Sequence, residues 1–132
     1  MILQDIYDHL QSDSGLATLL GATGSDSKIY PQIAKETADA PFIVYRSANP
    51  GGTKDEVLSE ELITLVITAN DFEKIVSIPQ AITELLDLKE TAEISSTLYE
   101  IYYSKKIGGS DFSDELHNFN RSLTFLVKFK KQ

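Results

Sequence analysis

The sequence predicts an α+β domain in which a mixed, mostly antiparallel β-sheet carries two helices on one face. Two segments, 2–10 and 72–88, place apolar residues at intervals of three and four, the spacing of a helix with one buried stripe. Other segments alternate apolar and polar residues, as strands do when one face is buried and the other is wet. The resulting order is helix, strands, helix, strands, which one sheet covered by one layer of helices accommodates.

Length and composition fit one folded domain. The chain has 132 residues, close to the commonest size of a domain, and a folded chain of this length buries well over half of its unfolded surface. Hydrophobic residues make up 42% and charged residues 24%, which is typical of globular proteins and unlike disordered ones. No repeat and no change of composition marks a boundary, so we expect a single domain over residues 1–132.

The first third of the chain predicts one helix, a short helical segment and two strands. The first helix is expected over residues 2–12, and the helical segment after it ends at Gly21. Residues 28–33 predict a short extended piece at a sheet edge, because Pro31 has no N–H to donate to a neighbouring strand. Residues 41–47 alternate in character and predict a better strand.

The middle of the chain predicts a buried strand followed by the second helix. Residues 62–69 are β-branched and almost continuously apolar, so we expect a central strand covered on both faces or nearly so. The helix is expected from an N-cap at Asp71 to Leu88, split by Pro79 into a leading turn and a main helix. The expected core contacts join Ile6, Leu10, Ile82 and Leu86 of the helices to Val66, Leu98 and Phe125.

Two strands, 93–103 and 118–130, are predicted in the last third. Tyr99, Ile101 and Tyr103 share one parity, and we expect their common face to be buried. The second strand alternates phenylalanine, leucine and valine with polar residues, which is typical of one buried and one wetter face. The segment between them contains two adjacent glycines and several acids, so it is predicted to be a loop.

Charge and cysteine content restrict the classes of function. Twenty acidic and twelve basic residues give a net charge of −8, which disfavours sequence-independent binding to nucleic acid. The basic cluster Lys128, Lys130 and Lys131 is interpreted as a solubilising end. The chain has no cysteine, which excludes disulfides and thiolate chemistry and fits folding in the cytoplasm. No apolar run approaches the roughly 20 residues of a membrane helix, and no signal peptide is expected.

Histidines offer two weak candidates for chemistry. Asp5 and His9 stand four apart on the first helix and share a face, but a metal site needs at least a third ligand. His117 follows Asp114 and Glu115, whose carboxylates suit the orientation of a general base, but no motif supplies a nucleophile. A solvated helix face and a loop histidine are the simpler interpretations.

Two further patterns resemble ligand sites only superficially. The glycines of residues 50–54 do not lead from a strand into a helix, as a phosphate-binding loop requires. The acids of residues 111–115 lack the spacing of a calcium-binding loop. We therefore predict no catalytic residue, no cofactor and no metal, and we interpret the chain as a structural interaction protein rather than an enzyme.

The order of elements and two short motifs resemble the tail-completion proteins of long-tailed bacteriophages. The motifs are Lys28-Ile29-Tyr30-Pro31 and the strand Ala40-Pro41-Phe42-Ile43-Val44-Tyr45. The resemblance continues through the strand at 62–70, the helix at 71–87 and the closing strand, and so covers nearly the whole chain. It implies a phage or prophage virion protein that caps the tail tube, ends its polymerisation and presents the surface to which the filled head attaches.

The resemblance also implies partners and a location. The subunit is expected to form a ring, usually of six copies, between the tail-tube protein and a head-completion or connector protein. DNA would only pass through this ring, and the acidity of the chain suits a pore to which DNA does not stick. The protein is expected in the tail or neck of the virion, after assembly in the cytoplasm of the bacterial host.

Contacts between subunits are predicted in two glycine-containing loops, 49–55 and 105–114, which are expected to be mobile in the free subunit. Basic and acidic residues of the second loop are expected to meet their opposites on a neighbour. The predicted interface residues are Asn49, Gly51, Gly52, Lys54, Lys105, Lys106, Asp111 and Asp114. Two alternatives stay open: a head-completion or connector subunit of the phage neck, and a cytoplasmic non-catalytic binding module.

Overall fold

The structure, a computed structural model, describes residues 2–23, 26–31, 39–48, 58–88, 94–113 and 118–131. Its elements are α1 (Ile2–Gln11), α2 (Ser14–Leu20), β1 (Ile29–Pro31), β2 (Phe42–Ala48), β3 (Leu58–Ala69), α3 (Phe72–Leu86), β4 (Tyr99–Ser113) and β5 (Phe119–Lys131). The predicted α+β fold class is confirmed. The short helical segment after the first helix is α2.

The five strands form one mixed sheet in the order β1-β2-β3-β5-β4. β1 runs parallel to β2, and the other neighbouring pairs are antiparallel. β3 is therefore the central strand, as predicted. β1 is an edge strand that ends at Pro31, which confirms the edge position expected from a residue without an N–H.

The sheet is buried on one face only. In β3 the side chains of Ile63, Leu65 and Ile67 are fully buried, whereas Leu62 and Val66 on the other face are half-buried. The prediction that this strand is covered on both faces is wrong. All the helices of the described chain pack on the face that carries Ile63, so apolar β-branched side chains on the opposite face stay partly exposed.

Helices and sheet share one hydrophobic core. Most of the predicted contacts are confirmed, since Ile6, Leu10, Ile82, Leu86 and Phe125 are all fully buried within it. Val66 and Leu98 were predicted wrongly. Val66 lies on the uncovered face of the sheet, and 56% of the Leu98 side chain is exposed just before β4 begins.

α3 continues through Pro79, so the predicted split of this helix is wrong. A proline in a helix interior loses one backbone hydrogen bond and costs about 3 kcal/mol. Here the buried residues Ile75, Ile78 and Ile82 lie on both sides of the proline along one stripe, and their burial holds the helix on the sheet. The Thr83 hydroxyl also donates to the carbonyl of Pro79 at 2.8 Å.

Helix ends follow the capping signals of the sequence. Asp71 precedes α3, and its carboxylate accepts a hydrogen bond from the backbone N–H of Glu73 at 2.8 Å. Asp13 caps α2 in the same way, accepting from Leu16 at 2.8 Å. Gly21 follows α2 with φ +68°, the left-handed conformation that lets a chain leave a helix without steric cost.

β4 extends far beyond its predicted end. The segment predicted to be a loop is strand up to Ser113, so Lys105, Lys106, Gly108, Gly109 and Asp111 all lie in β4. The reason is its partner: β4 pairs with β5 along the full length from Tyr99↔Lys131 to Ser113↔Phe119. Backbone pairing with a strongly alternating strand overrides the weak strand preference of glycine and aspartate.

Two shifts of register interrupt the β4–β5 pairing, between Ile101 and Tyr103 and between Lys106 and Gly108. A shift of one residue moves the following side chains to the opposite face. Ile101 is therefore buried in the core, while Tyr103 stands on the uncovered face with the Lys128 ammonium 5.0 Å from its ring centre. The prediction that both share the buried face is wrong.

The basic residues near the C-terminus belong to the sheet. Lys128 and Lys130 lie in β5, with their Nζ atoms 3.9 Å from Glu60 Oε1 and 3.2 Å from Glu100 Oε2. These residues bridge neighbouring strands, so the interpretation of the cluster as a solubilising end is wrong for them. Lys131 is the last residue of β5.

Candidate functional site: the β4 edge and the groove beside α3

β4 is a long edge strand. It spans 15 residues and pairs on one side with β5, and no strand of the described ranges pairs with its other side. The opposite edge, β1, has only three residues and ends in a proline. The Ser104 carbonyl of β4 accepts a hydrogen bond from the Leu88 N–H at 3.0 Å. An edge strand presents backbone N–H and C=O groups to other chains, so β4 is the longer margin at which this sheet can contact a partner.

An open groove of about 840 Å³ lies between α3 and the second half of β4. Its lining includes Val76, Pro79 and Thr83 from α3, Lys106, Ile107 and Gly109 from β4, and Leu123 from β5. α3 thus leaves part of the sheet uncovered next to its edge. The groove combines an apolar helix side with strand backbone, which suits contact with another protein better than a small polar ligand.

Gly109 is required by the close approach of β4 to β5. A Cβ atom at this position would collide with the backbone carbonyl oxygen of Ser122. A Cβ at the neighbouring Gly108 would meet nothing within 4 Å. The register shift after Lys106 brings the two backbones together at residue 109, where only glycine fits.

Exposed apolar side chains lie on α3, β4 and β5 and form what we call the apolar rim, defined by Phe72, Val76, Ile107 and Phe119. Of these, Val76 and Ile107 line the groove. Phe72 is 67% exposed and Ile107 is 55% exposed. The rings of Phe72 and Phe119 meet edge to face, with centroids 5.9 Å apart, and Val76 follows Phe72 one turn along α3. Clustered exposed apolar residues on a folded domain indicate an interaction surface.

An ion pair closes the far end of the groove. Arg121 Nε donates to Asp111 Oδ1 at 2.7 Å, and Arg121 Nη2 donates to Asp111 Oδ2 at 3.2 Å. The hydrogen bond from Arg121 holds the pKa of the Asp111 carboxyl below its ordinary value. Arg121 and Asp111 therefore neutralise each other across the β4–β5 pair.

The two lysines of β4 are placed differently. Lys105 Nζ donates to the carbonyl of Leu88 at 2.9 Å and lies 3.3 Å from Asp87 Oδ1, so it ties β4 to the end of α3. Lys106 lines the groove with an exposed side chain, and no hydrogen bond or ion pair joins its ammonium group to another described residue. Among the described residues, Lys106 is thus a cation that the groove offers to a partner.

The structure brings Lys106 and Asp111 together at the groove and turns Lys105 towards α3. The other predicted interface residues, Asn49, Gly51, Gly52, Lys54 and Asp114, lie outside the described residues. Whether any of the eight contacts a neighbouring subunit stays a prediction.

Sequence reasoning missed the apolar rim. Phe72, Val76, Pro79 and Thr83 follow one another at intervals of four, three and four, which is a second helical stripe beside the buried one. That spacing was the available signal. Ile107 gave no such signal, because its position depends on the register shift within β4.

The candidate metal pair on α1 has another role. His9 Nε2 donates to the backbone carbonyl of Leu85 at 3.0 Å, which joins α1 to α3. Within the described ranges, no three His, Asp or Glu side chains come together as a metal site would require. His117 lies outside those ranges. No helix in the described part of the chain is long and apolar enough to cross a membrane.

Comparison with known proteins gives a similarity of fold. No protein-family model matches the chain, and no curated protein matches it. Among solved structures, a chain from the virion of a native gene transfer agent (GTA) particle has a similar fold, with a TM-score of 0.74. The similarity covers 95% of this chain and 91% of that chain, at 12% sequence identity. At this identity the two chains share a fold over nearly their whole lengths.

Proposed function

We propose that this protein is a structural subunit of a phage-type virion. The observation that carries the proposal is the shared fold with a chain of a gene transfer agent virion over almost the full length of both chains. Fold alone does not define function, so the surface also matters. The long edge of β4 and the apolar rim are features of a chain that assembles with other chains, and we propose a role without catalysis.

In finer terms, we propose that the subunit completes the tail. It would cap the tail tube as a ring of six copies, contact the tube protein on one side and the head-completion or connector protein on the other, and remain in the neck of the finished virion. The motifs around Ile29 and Phe42 support this assignment by resemblance. The exposed β4 edge supports it physically, because a ring subunit needs unpaired surface on its flanks.

The test is deletion of the gene from the phage or prophage and complementation with the intact chain. A tail-completion role predicts tails of irregular, extended length without heads, seen by electron microscopy. A connector role predicts tails of normal length beside filled but unattached heads. Normal infectious particles in the deletion strain would overturn the virion proposal itself.

A second measurement counts the subunit in purified particles. Quantitative mass spectrometry against the tube protein is expected to give a few copies per virion, as a single ring requires. A copy number comparable to that of the tube protein would contradict a terminal position, and complete absence would contradict a virion role.

A further inference from the structure

We propose that the groove beside α3 binds a second copy of this chain through that copy's acidic patch, which we define by Asp5, Asp8 and Leu98. This inference deepens the proposed function by naming the two surfaces through which subunits meet. The acidic patch lies at the opposite end of β4 from the groove. Leu98 precedes the first residue of β4, whereas the groove begins at Lys106.

The acidic patch combines carboxylates with an exposed apolar side chain. Asp5 and Asp8 of α1 and the segment 95–98 line a depression of about 510 Å³. The carboxylate of Asp8 is exposed and accepts a hydrogen bond from Gln4 at 2.9 Å. Among the described residues, no basic side chain lines this depression. The patch therefore offers negative charge together with a leucine that is more than half exposed.

The groove offers the complementary chemistry. In the part of the chain that the structure describes, its lining contains two cations, Lys106 and Arg121, and two anions, Glu84 and Asp111. Asp111 and Arg121 neutralise each other, which leaves Lys106 on β4 and Glu84 on α3. An acidic partner is therefore attracted to the β4 side of the groove. On that side Ile107 stands next to Lys106 and provides an apolar contact for a leucine.

Net charge favours the orientation in which the groove of one copy meets the acidic patch of another. Two copies of a chain with net charge −8 repel each other on average, so they associate only where a cation of one meets acids of the other. The groove and the acidic patch are different surfaces, so each contact leaves one groove and one patch unused. Such a head-to-tail contact continues from copy to copy and closes into a ring when the rotation between neighbouring copies permits it.

Cysteine cross-linking tests the contact directly, because the chain contains no cysteine of its own. The double variant Leu98→Cys with Ile107→Cys places one thiol on each surface. Within one chain these positions are about 25–30 Å apart along an extended strand, far beyond the roughly 7 Å between Cα atoms that a disulfide allows. Any disulfide between them must join two copies.

The expected result is a ladder of covalent oligomers from the purified double variant under mild oxidation. Each single variant should stay monomeric. The matched control is Leu98→Cys with Tyr102→Cys, which places the second thiol on an exposed β4 residue outside the groove and should give no ladder. All three positions are exposed, and circular dichroism checks that each variant folds. An absent ladder, or dimers from Ile107→Cys alone, would overturn the proposal.

A charge exchange tests orientation in the same cross-linking background. Lys106→Glu alone and Asp8→Lys alone should each lower the yield of cross-linked product by up to about fivefold, the upper end of the effect of losing one exposed ion pair. Mixing the two variants should restore it, because the changed groove of one then meets the changed patch of the other. Equal yields in all samples would contradict the orientation. The purified chain alone suffices, so failure here leaves the deletion test of virion function unaffected, and the reverse also holds.

Discussion

Asp111 and Arg121 face each other across the β4–β5 pair, with two hydrogen bonds of 2.7 and 3.2 Å joining the carboxylate to the guanidinium. Both residues line the groove beside α3. The pair neutralises two of the charges that line the groove and joins β4 to β5 just beyond the second register shift.

The stability supplied by this pair should depend on pH. The hydrogen bond from Arg121 lowers the pKa of Asp111, so its contribution is present above the ordinary aspartate pKa of about 3.9 and is lost as the pH falls through the lower value in the folded state. Asp111→Asn should lower the melting temperature slightly at pH 7 and have no effect at about pH 2. Asp5→Asn is the control. The assignment would be contradicted if Asp111→Asn lowered the melting temperature by the same amount at both pH values.

Leu86 is expected to be a major contributor to the core. Its side chain is 1% exposed at the C-terminal end of α3, so Leu86→Ala should lower the free energy of unfolding by about 2–5 kcal/mol. Urea denaturation measures this loss. Leu98→Ala removes the same atoms from an exposed position and should change stability by less than about 0.5 kcal/mol. Similar losses in both variants would show that the core is placed wrongly.

The two adjacent glycines of β4 should respond differently to alanine. Gly109→Ala forces a Cβ against the Ser122 carbonyl and is expected to cost about 1–3 kcal/mol of unfolding free energy. Gly108→Ala has open space around its Cβ, so the change should be close to neutral or slightly stabilising. Thermal denaturation of the two variants compares them directly. Equal effects would place the register shift elsewhere.

Tyr30 should be among the last tyrosines to ionise. Burial and the hydrogen bond from its phenol to Asp26, at 3.0 Å, raise its pKa from 10.0 to about 12. Because the folded state favours the protonated phenol of Tyr30, this residue contributes stability that is fully present below pH 10. The contribution is lost as the pH rises towards 12. Tyrosinate absorbance follows the titration. Tyr30→Phe should remove the absorbance change of one tyrosine from the high-pH part of the titration curve. Loss of that change from the part near pH 10 would contradict the assignment.

Local signals predicted the parts of the fold that are set locally. Asp71 caps α3 and Gly21 ends α2 because capping depends on neighbouring residues, and Pro31 marks an edge because it lacks an N–H. Pro79 was misjudged, since the buried isoleucines on both sides of it hold the helix together. The length of β4 was misjudged because its pairing with a distant strand outweighs its own composition.

The candidate site was only partly accessible to sequence reasoning. Lys106 and Asp111 were selected as charged residues near glycines, although they lie on a strand and not on a loop. Val76 was missed although its helical spacing from Phe72 was a usable signal. Ile107 was missed because its exposure depends on the shift of register between Lys106 and Gly108, which a pattern of apolar residues does not reveal.

The two edge strands of the sheet, β1 and β4, differ in length, and this difference limits the uncontrolled addition of further strands. A strand added to β4 finds 15 residues of backbone, but a strand added beyond β1 finds three, and the last of these is proline. Amyloid-like growth requires that each added strand expose an edge that pairs as well as the edge it covered. In this sheet β4 can pair with an added strand along its length, whereas β1 is too short and ends in proline. Direct edge-to-edge extension therefore stops after one addition.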